Sequence, residues 1–103
     1  MKPLNFRQLR KANFKRSQTA FNVENWSPLE FGGAMAGECG EACNLLKKLK
    51  RGEKVPLKDI AHELADVVVY ADLTAAYLDI DLGEAVREKF NIVSKRKKCN
   101  IKL

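Results

Sequence analysis

The sequence holds one histidine and only three cysteines, at positions 39, 43 and 99, and neither type falls into the ligand spacing that closes a zinc site. Zinc is therefore not expected. The cysteines are odd in number, and Cys39 and Cys43 lie four apart on what reads as an apolar helix face. That argues against a disulfide framework and predicts reduced, buried thiols in a cytoplasmic protein. No long apolar run is present either, because residues 60 to 80 are interrupted by Glu63, Asp66, Asp72 and Asp79, so no membrane span is expected. The N-terminus turns polar before an apolar stretch develops, and no secretory leader is expected. Strand-like alternation and internal repeats are missing as well.

What remains is a chain of 103 residues, 46% apolar and 31% charged, which reads as one folded domain over residues 1–103 rather than a disordered segment. A chain this short buries its surface only marginally as a monomer, so help from a second copy fits its size. Lys and Arg outnumber Asp and Glu by 19 to 13, and Lys95-Arg96-Lys97-Lys98 concentrates part of that excess near the end. A net charge of +6 favours anionic partners without choosing among phosphates, nucleic acid and acidic surfaces.

Capping signals and apolar period predict four helices. Asn5 with Gln8 resembles a capping box, and a first helix is expected from about residue 5 to 20. Ser27-Pro28-Leu29-Glu30 combines a Ser cap, a proline in the first turn and a glutamate placed to reach back. A second helix opens there, with Met35, Cys39, Ala42, Leu46 and Leu49 as its apolar face and Gly52 as its stop. Glycines 32, 33, 37 and 40 weaken its early part and permit close approach of a neighbour or ligand. Residues 57 to 79 are apolar nearly all round, the pattern of a helix central to a bundle or held between subunits. Asp81 with Glu84 again resembles a capping box, and Val86, Phe90 and Val93 mark a last helix to about residue 97. The expected fold is all-α, four helices in an antiparallel, bundle-like packing.

Two acid pairs stand out in that frame. Glu38 and Glu41 are three apart on the second helix, Glu63 and Asp66 three apart on the third, and at that spacing each pair points one way. On the third helix Asp59, Glu63, Asp66, Tyr70 and Tyr77 fall within an arc of about 60°. Ionised carboxylates on a helix otherwise built for burial cost on the order of several kcal/mol each unless something positive meets them. One E-x-x-E alone is ordinary on an exposed, salt-bridged face; two pairs on successive helices are less so. Oxygen ligands without His or Cys suit magnesium, or manganese in its place. A di-iron centre would want Glu-x-x-His on two helices, and Asp59-Ile-Ala-His62 is the only approximation. His62 lies about 100° from Glu63, off the acidic stripe, which makes it a rim or interface residue rather than a ligand.

Gly37-Glu38-Cys39-Gly40-Glu41-Ala42 followed by Glu63-Leu64-Ala65-Asp66 resembles the MazG-like, all-alpha nucleoside triphosphate pyrophosphatase superfamily, from about Trp26 to Arg96. The resemblance implies Mg²⁺ held by Glu38, Glu41, Glu63 and Asp66, and hydrolysis of a (d)NTP to the (d)NMP and pyrophosphate. It makes Glu41 and Glu38 the catalytic candidates, Glu41 as base. For substrate it implies Lys89, Asn91 and Arg96 on the last helix near the phosphates and sugar, with Trp26 and Tyr70 stacking on the base. Lys48, close to Glu41 on the helical wheel, is a further phosphate candidate. It also implies a homodimer or homotetramer, with a nucleoside triphosphate rather than nucleic acid as the partner. The competing expectation is a dimeric helical nucleic-acid-binding or regulatory module that uses its basic ends. A MazG-like scaffold that binds nucleotides without hydrolysing them is the third.

Overall fold

Asn5 and Gln8 exchange backbone and side-chain hydrogen bonds at 2.8 and 3.0 Å, which opens helix α1, Phe6–Thr19. In this computed structural model, which describes residues 2–103, three more helices follow: α2, Pro28–Lys50; α3, Leu57–Tyr77; and α4, Leu82–Arg96. The described residues contain no strand, and no helix is long and apolar enough to cross a membrane. Ser27 and Glu30 complete the expected box at α2, and the bonds to Ser27 hold the Glu30 carboxyl below its usual range. At α4 only half of the expected box forms. Asp81 accepts from the Glu84 N–H at 3.0 Å, while the Glu84 side chain turns to Arg87.

The helix ends share one device. After α2, α3 and α4 the chain closes with paired reverse bonds, such as Ile80 N–H to Ala75 O at 2.8 Å and Asp79 N–H to Ala76 O at 3.2 Å. The left-handed position in these motifs is Gly52 (φ 87°) after α2, but Asp79 and Lys98 (both φ 55°) after α3 and α4. A side chain at that position carries a steric cost that glycine avoids.

Helices α2 and α3 form an antiparallel hairpin with the most extensive contact in the molecule. Its seam is Phe31, Met35, Glu38, Ala42 and Leu45 against Ile60, Glu63, Val67, Tyr70 and Thr74, all buried or half-buried. The steps of three and four along both sets are those of two helices packed side by side. Cys39, Leu46 and Leu49, expected on the buried face, are exposed, as are all three thiols. The reason is that among the described helices α2 has extensive contact with α3 alone, and a single neighbour covers a narrower arc than a full core does.

Helix α1 lies on the C-terminal half of α3. Asn13 donates to Val69 O (2.9 Å) and to Asp72 (3.2 Å), and Arg10 Nε reaches Asp72 Oδ1 at 3.1 Å. Arg10 also donates to Ile80 O at 2.7 Å, which ties α1 to the turn before α4. Helix α4 meets the rest mainly at the start of α1, where Gly83 faces Phe6 so closely that an added Cβ would lie 3.3 Å from the Phe6 Cβ. The packing is thus more open than a closed bundle. The radius of gyration is 16.0 Å, where a chain of this length packed compactly has about 13 Å.

Candidate metal centre

Glu38 and Glu63 occupy seam positions on facing helices, where the repeat places apolar side chains elsewhere along the hairpin. Glu41 stands one turn beyond Glu38 and is exposed. These three acids each offer a carboxylate oxygen within 4.8 Å of the other two. Oxygens bound to one Mg²⁺ lie about 3 to 4 Å apart, so small side-chain rotations bring the set to ligand spacing. Asp66 is exposed one turn after Glu63 and does not join that set.

No positive charge among the described residues answers these acids. The ion pairs among the described residues are Arg10 with Asp72, Arg51 with Glu53 and Arg87 with Glu84, and none engages Glu38, Glu41, Glu63 or Asp66. Glu63 Oε2 is out of contact with solvent and has no hydrogen-bond partner. Ionised carboxylates only accept, so three together leave that oxygen orphaned unless a proton or a cation arrives. A proton on Glu63 can be shared with Glu38 and then Glu41. That sharing, with the loss of solvent and the two nearby charges, pushes the Glu63 carboxyl up to about 7. The donor set fits a hard divalent cation: oxygen ligands, excess negative charge, and one oxygen unsatisfied without it.

The remaining candidates are spread more widely. Tyr70 lies half-buried on the α3 seam, two turns after Glu63. Lys48 is exposed on α2 and pairs with no acid. Trp26 packs on Phe31 with ring centroids 5.0 Å apart, and Phe31 meets Tyr77 at 4.8 Å. Trp26 precedes the Ser27 cap and Phe31 is the fourth residue of α2, so the pair is a hydrophobic staple. Asn91 is engaged with the chain's last residue, donating to Leu103 O at 3.2 Å and accepting from Leu103 N–H at 2.9 Å. Lys89 and Arg96 are exposed on α4, which has no extensive contact with the α2–α3 hairpin. His62 is exposed and outside the acidic set. An added Cβ at Gly32, Gly33, Gly37 or Gly40 would meet nothing within 4 Å, so no close approach inside the chain requires these glycines.

Sequence reasoning overlooked Asp72, Asn13 and Phe31. Asp72 registered only as a break in an apolar run, yet it is fully buried and paired with α1. Compared with known protein families, curated proteins and solved structures, the chain matches none of them.

Proposed function

We propose that this chain is a Mg²⁺-dependent nucleoside triphosphate pyrophosphohydrolase of the MazG-like kind, converting (d)NTP to (d)NMP and pyrophosphate. The observation that carries the reading is the orphaned Glu63 Oε2 within a set of three carboxylates that no cation among the described residues meets. The order of the E-x-x-E and E-x-x-D pairs on two facing helices supports it.

Glu38 and Glu63 would hold the ion from the seam, with Glu41 and Asp66 on the open side of the hairpin. Mg²⁺ held there would supply charge neutralisation for the triphosphate and would ease deprotonation of the attacking water. Glu41 is the exposed member of the set and can take the proton of a water that attacks the α-phosphorus, while the α–β bond breaks and pyrophosphate leaves. Tyr70, half-buried, and Lys48, exposed, belong to the same two helices, and in this reading they would receive base and phosphates. A homodimer or homotetramer belongs to the same reading, since α4 with Lys89 and Arg96 has no extensive contact with its own hairpin.

Incubation of the protein with Mg²⁺ and a panel of standard and modified (d)NTPs tests the reading. Monophosphate plus pyrophosphate supports it. Diphosphate plus orthophosphate means that a different bond is cut, and no turnover of any triphosphate refutes it. The exposed run Lys95-Arg96-Lys97-Lys98 favours the competing reading, a nucleic-acid-binding module. That reading requires salt-dependent retention of DNA or RNA that is indifferent to loss of the acids.

A further inference from the structure

Helix α4 and the segment after it hold most of the chain's surplus charge. From residue 82 to 103 there are seven cations, namely Arg87, Lys89, the run Lys95-Arg96-Lys97-Lys98, and Lys102, against two acids, Glu84 and Glu88. That is a net +5 where the whole chain carries +6. The same helix has an uncovered apolar stripe. At about 100° per residue, Leu82, Val86, Phe90 and Val93 fall within an arc of about 80°, with Lys89 and Arg96 along one edge, while Glu84 and Glu88 each stand about 160° round the helix from Val86. Val86 is 39% exposed, Phe90 41% and Val93 37%. These three line an open groove of about 680 Å³ together with Lys89 and Lys97. The extensive contact of α4 is with α1 alone, where Gly83 faces Phe6, and it leaves the stripe beyond Leu82 bare.

Charge without an apolar stripe suits nucleic acid, whose phosphates give Val86, Phe90 and Val93 nothing to bury against. An apolar stripe without surplus charge suits another protein. The two together on one helix, with its acids turned away, are complementary to an anionic bilayer. Apolar side chains enter the boundary of the acyl chains, while lysine stems lie along it and carry their ammonium groups to the lipid phosphates. We propose that α4 docks this chain on an anionic phospholipid membrane surface, with Val86, Phe90 and Val93 inserted and Lys89, Arg96 and Lys97 at the phosphates. A helix that lies in the surface needs no membrane-crossing length, so the lack of such a helix among the described residues is consistent with it. The docking is independent of the acids on α2 and α3 and of whether they carry out hydrolysis.

Co-sedimentation of the full chain with lipid vesicles, in chelator and without nucleotide, tests the docking. Each cation at an anionic surface is worth about fivefold in affinity. With three of them, the wild type is expected to bind phosphatidylcholine–phosphatidylglycerol vesicles on the order of a hundredfold more tightly than phosphatidylcholine alone, and to lose affinity as salt is raised. Phe90→Ser and Lys97→Glu are each expected to weaken binding on the order of tenfold with helical circular dichroism retained. Leu64→Ser, at an exposed position of α3, is expected to leave it unchanged. Should Phe90→Ser fail to fold, alkylation of the wild type followed by peptide mapping decides. Cys99 lines the groove and Cys39 stands on α2, and both are exposed. On anionic vesicles Cys99 is expected to react on the order of tenfold more slowly than in solution, and Cys39 at an unchanged rate, because docking protects what it covers. No binding to the anionic vesicles, equal affinity for the neutral ones, or an unprotected Cys99 overturns the proposal. So does binding that Lys97→Glu loses but a folded Phe90→Ser keeps, which describes a purely electrostatic surface of the kind nucleic acid uses.

Discussion

Helix α3 carries two acids shielded from bulk water, and the molecule treats them in opposite ways. Asp72 is fully buried, and Arg10 and Asn13 reach it from α1 at 3.1 and 3.2 Å. Glu63 is half-buried, and what it meets from α2 is two more carboxylates. The first site is complete within the chain, and its contacts to Arg10 and Asn13 contribute to holding α1 on α3. The second is incomplete, and its charge opposes the packing that positions it. The difference teaches where to look for an external ligand: burial of an acid alone says little, whereas burial without a partner leaves a free-energy cost that a proton or a cation removes.

The contrast can be broken most forcefully at the complete site. Arg10→Ala leaves the buried Asp72 carboxylate with Asn13 alone, and is expected to cost about 3 kcal/mol. Urea unfolding at neutral pH measures it, and a loss no greater than that of an exposed arginine would show that the pair is dispensable. At the incomplete site, Glu41→Gln or Asp66→Asn is expected to lower turnover on the order of a hundredfold or more while helicity persists. Full activity in either variant would remove that residue from the site.

A smaller effect lies beyond both sites, just past the end of α3. Asp79→Gly relieves a side chain held at φ 55° and is expected to stabilise the fold by up to about 1 kcal/mol, seen as a higher midpoint of unfolding. Destabilisation there would mean that the Asp79 side chain makes a contact worth more than its strain.

The most diagnostic comparison is one of sign, because neutralising an acid should have opposite effects at the two sites. Asp72→Asn is expected to lower the melting temperature, and Glu63→Gln to raise it in chelator at pH values above about 7. The Glu63 carboxyl titrates near 7 when folded against an ordinary 4.5. Between those values the folded chain therefore binds more proton than the unfolded one. Its contribution to stability is full below 4.5 and is lost as pH rises through 7. The melting temperature of wild type minus that of Glu63→Gln should fall across that window without metal, and Mg²⁺ should restore wild-type stability on its alkaline side. A flat difference, or one that rises with pH, would contradict the shared-proton account.

How much of this is legible in the sequence depends on the distance over which each feature is decided. Helix starts are local: Asn5 with Gln8 and Ser27 with Glu30 sit within one turn, and both boxes form. Helix stops are less legible, because Asp79 and Lys98 occupy positions that glycine usually marks. The acid pairs could be read because spacing on one helix fixes direction, and three of the four acids come together as their faces require. Asp66 turns outward because its position is about 60° round α3 from Glu63. The partners of Asp72 could not be read, since Arg10 is 62 residues away and nothing local announces it. The exposed faces of α2 and α4 are illegible for a similar reason: an apolar stripe predicts that something covers it, not whether the cover is the chain itself.

The lone tryptophan has a practical consequence. Its indole rests against Phe31, whose ring also meets Tyr77, so one chromophore spans the loop before α2 and the last turn of α3. Phe31 and Glu38 are separated by about 10 Å of helix, which sets this chromophore apart from the acidic cluster. Intrinsic emission is therefore an optical gauge of whether the far end of the hairpin is zipped. It can follow unzipping while staying largely blind to what the carboxylates bind.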